Sequence, residues 1–96
     1  EKKIGGALRT IAPILRHVHI SENDRGTPGD GHIPWDETFS TLAEIKYSGW
    51  LTIEAFTRND PAFANAINVW REYSKPWNMA EQGLKFIKEM CSKHGL

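Results

Sequence analysis

Glu54 lies inside an apolar run of β-forming residues, Gly49-Trp50-Leu51-Thr52-Ile53-Glu54-Ala55-Phe56. An ionised carboxylate in such a run is costly unless it is paired or bound to a metal. A second apolar run, Ile14-Leu15-Arg16-His17-Val18-His19-Ile20, ends in groups that can ligate or titrate. Side chains alternate along a strand, so His17 and His19 share a face, as do Thr52, Glu54 and Phe56. An imidazole beside carboxylates suits a divalent ion such as Mn²⁺, Co²⁺, Mg²⁺ or Zn²⁺. Two apolar strands, each with a polar group near its C-terminal end, point to an α/β enzyme site.

Each of these residues also has a plainer reading. His-x-His occurs more often in packing or hydrogen bonding than in ligation. A buried carboxylate needs a reason to be there, which favours Glu54 more than the histidines. Arg25 reads alone as a solvated loop cation and Glu22 as a surface carboxylate. Trp35, Trp50, Trp70 and Trp77 read as packing residues, and His32 and His94 have no chemical context.

The elements that must position these groups follow from periodicity. Ile4, Ala7, Leu8 and Ile11 recur at helical spacing over residues 2–12, and Pro13 ends that helix. The first strand follows directly. Residues 21–35 then carry Gly26, Pro28, Gly29, Gly31 and Pro34, and a loop of that length is uncommon without a function. Asp36 opens a helix with Phe39, Leu42 and Ile45 on one face, and the strand through Glu54 comes next. Asn59-Asp60-Pro61 caps a helix running through Ala64, Ile67 and Trp70. After a break at Ser74-Lys75-Pro76, a last helix spans about Met79 to Lys93, with Leu84, Ile87 and Met90 inward. This order implies parallel strands joined by crossover helices, with both strand faces covered. Two parallel strands leave both outer edges open, so the sheet must be completed by more chain or by further copies.

Bulk properties exclude some classes. The chain has 96 residues, enough for one small domain, and 12 basic residues balance 12 acidic ones. No net field draws nucleic acid or an anionic membrane surface. Cys91 is the single cysteine, so no intrachain disulfide or zinc–cysteine cluster forms, and a reduced, cytoplasmic setting is the default. No apolar run approaches the length of a membrane span.

Taken together, three runs resemble the D-tagatose and D-psicose (allulose) 3-epimerases, sugar epimerases of the xylose-isomerase-like TIM-barrel superfamily. The first is His17-Val18-His19-Ile20-Ser21-Glu22-Asn23-Asp24-Arg25-Gly26 with Pro28-Gly29-Asp30-Gly31-His32-Ile33-Pro34-Trp35-Asp36. The second is Tyr47-Ser48-Gly49-Trp50-Leu51-Thr52-Ile53-Glu54-Ala55-Phe56. The third joins Val69-Trp70-Arg71 to Gly83-Leu84-Lys85-Phe86-Ile87. The resemblance covers essentially the whole chain but only the last third or so of such a protein, a barrel of about 250 residues. It implies an α/β fold: the C-terminal segment of a (β/α)8 barrel, residues 1–96 forming one partial domain with parallel strands at about 14–20 and 50–56.

The resemblance also implies roles. His19 corresponds to a metal-ligand histidine on the seventh strand. Glu54 corresponds to a carboxylate on the eighth that ligates the metal and acts as catalytic acid/base. Arg25 matches an arginine contacting the sugar oxygens, and Glu22 a group supporting the site from behind. The remaining metal-binding and catalytic carboxylates of the family lie on earlier strands. The implied reaction is 3-epimerisation of a ketose through an enediolate, with Mn²⁺ or Co²⁺ as cofactor and Mg²⁺ or Zn²⁺ as alternatives. The implied partners are a small sugar and either further copies of the chain or the N-terminal part of the barrel, with no nucleic acid and no membrane. The alternative is a non-catalytic barrel fragment that assembles or binds sugar. On either reading, the 96 residues alone are expected to be inactive.

Overall fold

A computed structural model describes residues 2–72 and 75–96. The elements run α1 (Ile4–Ile11), β1 (His17–Ile20), α2 (Trp35–Glu44), β2 (Trp50–Ile53), α3 (Pro61–Ala66) and α4 (Pro76–His94). The strands pair in parallel, with His17 opposite Trp50, Val18 opposite Leu51, His19 opposite Thr52 and Ile20 opposite Ile53. A parallel pair needs a crossover, and α2 supplies it.

Alternation along the two strands divides the sheet. Val18, Ile20, Leu51 and Ile53 turn towards the helices, where Ile20, Phe39, Ile87 and Met90 form the buried core. Trp35 and Phe86 pack against the same core, their rings 5.7 Å apart and edge-on. Ile20 and Phe39 are fully buried, each contributing about 1.5–3 kcal/mol of transfer free energy. The other face carries His17, His19, Trp50, Thr52 and Glu54, and among the described residues no helix covers it. Among the described residues, only the face towards α2 and α4 is packed.

Both strands are shorter than the apolar runs. Ile14 lies in a turn and is exposed. Residues 54–56 have left the regular ladder, although the Glu54 N–H still donates to the Ile20 carbonyl at 3.0 Å. Gly49 is required at the entry to β2. A Cβ there would lie 2.2 Å from the Arg16 carbonyl oxygen, a backbone atom that cannot yield.

The helices also depart in part from their periodic reading. α2 starts at Trp35, with Asp36 and Glu37 in its first turn, where carboxylates favour the helix dipole. In α3 the Asp60 carboxylate accepts from the Phe63 N–H at 3.1 Å and Pro61 takes the first helical position. This helix stops at Ala66 rather than continuing to Trp70, and Asn68 turns the chain with φ 61°. In α4 the inward stripe is Met79, Gly83, Ile87 and Met90. Leu84 lies one step off that stripe and is exposed, contrary to its expected inward position. Trp50, Trp70 and Trp77 are also mostly exposed, so of the four tryptophans only Trp35 packs against the core.

Candidate active site

The parallel register slants each cross-strand contact forward by two residues. His17, paired with Trp50, brings Nε2 within 2.7 Å of the Thr52 hydroxyl. His19, paired with Thr52, brings Nδ1 within 2.5 Å of Glu54 Oε2. The two imidazoles meet edge-on with centroids 5.1 Å apart. His19 and Glu54 thus meet on one face at the C-terminal end of the strands, both partly accessible. Glu54 is not the buried in-strand carboxylate that its surroundings imply; it sits one residue beyond β2 at the edge of solvent.

An ionised carboxylate can only accept, so this contact takes a proton on Nδ1 of His19, the roles of the two ring nitrogens following the tautomer. Two ligands held about 2.1 Å from one ion lie about 3 Å apart. Nδ1 and Oε2 therefore need only a slight parting, with loss of the shared proton, to hold a divalent cation. Nitrogen with carboxylate oxygen is a donor set that Mn²⁺, Co²⁺ or Zn²⁺ accepts. Among the described residues no group of three or more His, Cys, Asp or Glu could hold a metal ion.

The loop after β1 brings Arg25 to the same end. Its amide donates to the Glu22 carbonyl, and its own carbonyl accepts from the Phe56 N–H at 2.9 Å, just beyond Glu54. This pins the Arg25 backbone in the left-handed region, at φ 64°. The guanidinium lies 5.8 Å from the centroid of the Phe56 ring, a cation–π contact. Beside it, the Arg71 guanidinium is 2.8 Å from Asp24 Oδ2. Burial pushes the Asp24 carboxyl up, but the Gly26 N–H and Arg71 together outweigh this and hold it below the usual carboxylate range.

Glu22 touches neither His19 nor Glu54. It is 4 % exposed, and its Oε1 accepts from the Gly29 N–H at 2.9 Å and from the Trp35 indole at 2.5 Å. It therefore ties the middle of the loop to its end and is a buried loop clasp, not a surface carboxylate. Its Oε2 is buried without a hydrogen-bond partner. Gly31 makes room for that oxygen: a Cβ there would lie 2.2 Å from Oε2 and 2.6 Å from Asn23 Oδ1. His32 offers its backbone N–H to Asn23, whereas His94 and Lys93 both bind Asp36, joining the ends of α4 and α2. The parts that sequence reasoning missed are Phe56 under Arg25, the Asp24–Arg71 pair and the Trp35–Glu22 bond. All three depend on contacts between distant residues, for which no local pattern exists.

Residues 6–90 match the family model described as xylose isomerase-like TIM barrel. The chain belongs to that family. It is 43 % identical over 74 residues to a D-psicose 3-epimerase of Ruminiclostridium cellulolyticum, covering 77 % of this chain and 25 % of the relative. It is 40 % identical over 91 residues to a probable ketose 3-epimerase of Synechocystis, covering 93 % of this chain and 31 % of the relative. The solved structure of an L-ribulose 3-epimerase superposes with a TM-score of 0.85 at 30 % identity, over 98 % of this chain and 33 % of that one. The chain thus spans about a quarter to a third of the length of these relatives. Within it, the two parallel strands and their helices form one sector of the barrel fold. Among the described residues no helix is long and apolar enough to cross a membrane.

Proposed function

We propose that this chain contributes part of the active site of a metal-dependent ketose 3-epimerase, with His19 and Glu54 as metal ligands and Glu54 as an acid/base. The observation that carries this reading is the 2.5 Å approach of His19 Nδ1 to Glu54 Oε2 at the C-terminal end of parallel strands. Active sites of (β/α)8 barrels lie at that end. The relatives' names as psicose and ketose 3-epimerases support the substrate class.

In this reading, His19 and Glu54 would hold a divalent cation, which would supply Lewis-acid polarisation of the ketose carbonyl. Arg25, braced on Phe56, donates to sugar oxygens and fixes the carbon chain. Glu54 holds or returns the proton of the carbon next to the carbonyl, so that an enediolate forms and is reprotonated on the opposite face. That inversion requires a second carboxylate across the sugar, which no described residue near Glu54 provides. The chain therefore works only with further barrel strands, supplied by an N-terminal portion or by other copies.

Pairing the chain with the complementary part of the Synechocystis relative tests this reading. The complete barrel should interconvert D-fructose with D-psicose, and D-tagatose with D-sorbose, in the presence of Mn²⁺ or Co²⁺, and the isolated chain should not. Normal turnover by a barrel carrying Glu54→Gln overturns the reading.

The alternative, an assembling or sugar-binding module, draws support from Trp50. It is 74 % exposed on the same sheet face as the His19–Glu54 pair.

A further inference from the structure

His17 shares a strand face with His19 and has no part in the function proposed above. The parallel register gives it the same kind of partner as His19, two residues earlier on β2. His17 Nε2 lies 2.7 Å from the Thr52 hydroxyl, and His19 Nδ1 lies 2.5 Å from Glu54 Oε2. The two contacts are successive rungs across the strand pair. The imidazoles join the rungs, edge-on at 63° with centroids 5.1 Å apart. That separation falls within the roughly 4.5–7 Å over which aromatic edges and faces attract. Thr52, His17, His19 and Glu54 thus form one connected series of side chains from two strands.

The upper rung has little other support. The side chains of His19 and Glu54 are 55 % and 37 % exposed. Among the described residues the His19 ring has one hydrogen-bond partner, Glu54, and one ring partner, His17. The torsion that turns an imidazole is soft and roughly twofold, so the backbone alone does not choose which ring edge faces Glu54. A second ring against its flank restricts that choice.

The lower rung is better held. Thr52 stands inside the ladder, opposite His19, and its branched Cβ stiffens the direction of its hydroxyl. A hydroxyl fixed in this way sets the plane of His17, and His17 in turn limits the rotation of His19. Ligating histidines usually have their orientation set by a group on the other ring nitrogen, and its loss typically costs about 10–100-fold in metal affinity. Among the described residues His19 Nε2 has no such partner, and the His17 ring is the neighbour placed to do that task. A cross-strand pair that only stabilises the sheet would leave the His19 ring as it is when removed, so the two roles separate by measurement.

We propose that His17 is a positioning residue: anchored on Thr52, its ring holds the His19 imidazole with Nδ1 towards Glu54. The consequence for metal affinity rests on the metal-ligand reading of that pair; the ring orientation itself does not.

Nuclear magnetic resonance of the imidazole nitrogens in the intact chain reads that orientation without metal or turnover. At about pH 8, where an ordinary imidazole is neutral, His19 in the parent should carry its proton on Nδ1. In His17→Ala the Nε2–H form, which free histidine prefers, should become the larger population. Calorimetric titration should then show Mn²⁺ affinity lowered about tenfold. His17→Phe returns a ring to the same place; it should recover most of the Nδ1–H form and bring affinity within about threefold of the parent. Thr52→Val keeps the branched shape but removes the anchor, and should weaken Mn²⁺ binding about threefold. Valine is a good strand former, so this variant carries the test should His17→Ala fail to fold.

A His19 ring that keeps the Nδ1–H form in both His17→Ala and Thr52→Val overturns the proposal, and a loss of unfolding stability alone reduces His17 to a cross-strand pair. So does a His17→Phe ring state no different from that of His17→Ala. If His19→Ala abolishes Mn²⁺ binding in either case, the metal-ligand reading stands without the positioning role. A parent that binds no Mn²⁺, yet loses the Nδ1–H form of His19 in His17→Ala, sinks the metal-ligand reading and leaves the positioning role in place.

Discussion

At the residue scale, the site depends on short polar contacts whose loss should be measurable one at a time. Glu54→Gln keeps the size of the side chain but removes its basicity and a charged ligand atom. In a completed barrel it should lower turnover by about a hundredfold or more, with thermal stability unchanged. His19→Ala should weaken Mn²⁺ binding to the chain, read by calorimetric titration; unchanged affinity would remove His19 from the ligand set. Glu22 and Gly31 form a different kind of pair. A methyl at residue 31 would overlap both Glu22 Oε2 and Asn23 Oδ1, so Gly31→Ala must push the clasp apart. A loss of about 1–3 kcal/mol in denaturant unfolding is expected. Stability equal to the parent would show that the clasp yields freely.

At the element scale, the ends of α2 and α4 are tied by one carboxylate. The Lys93 ammonium at 2.6 Å, and then the His94 imidazole at 2.9 Å, hold the Asp36 carboxyl below its ordinary range. A group whose folded value is depressed adds stability above its unfolded value, near 4, and loses it as pH falls through the folded one. Unfolding curves should therefore show the parent losing an advantage over Asp36→Asn below about pH 4. Parallel curves across that range would mean the contact has no energetic weight. The α2 face that packs on the sheet is less forgiving. Phe39 is fully buried against Trp35 and Phe86, and truncating such a ring costs about 3–5 kcal/mol. For a domain of this size that is a large share of the total.

At the scale of the whole molecule, the sheet is a sector with two open edges. Among the described residues, β1 pairs only with β2, and β2 only with β1. Such edges recruit other strands. Ile14, Trp50 and Trp77 add exposed apolar surface, more than an isolated domain of this size usually shows. In light scattering the chain alone should form species heavier than 10.9 kDa, and the complementary barrel portion should dissolve them into a defined complex. A stable monomer with no affinity for that portion would count against completion of the barrel by further strands.

The amino-acid sequence by itself determined the local parts. The two β-forming runs, the Asp60-Pro61 start of α3 and the apolar spacing of α2 and α4 are short-range patterns, and each became an element. Alternation alone put His17 and His19 on one face and Thr52 and Glu54 on one face, which is most of the candidate site. Tertiary structure decided whatever depends on a neighbour remote in sequence. It ended the strands at Ile20 and Ile53 because pairing, not β propensity, sets ladder length. It buried Glu22 under the indole of Trp35 and left Trp50, Trp70, Trp77 and Leu84 exposed. Hydrophobicity records that a side chain favours cover, but only the packed arrangement of helices and strands determines whether cover is present. The 2.5 Å meeting of His19 and Glu54 has the same origin: a parallel register slanted by two residues, which neither strand encodes alone.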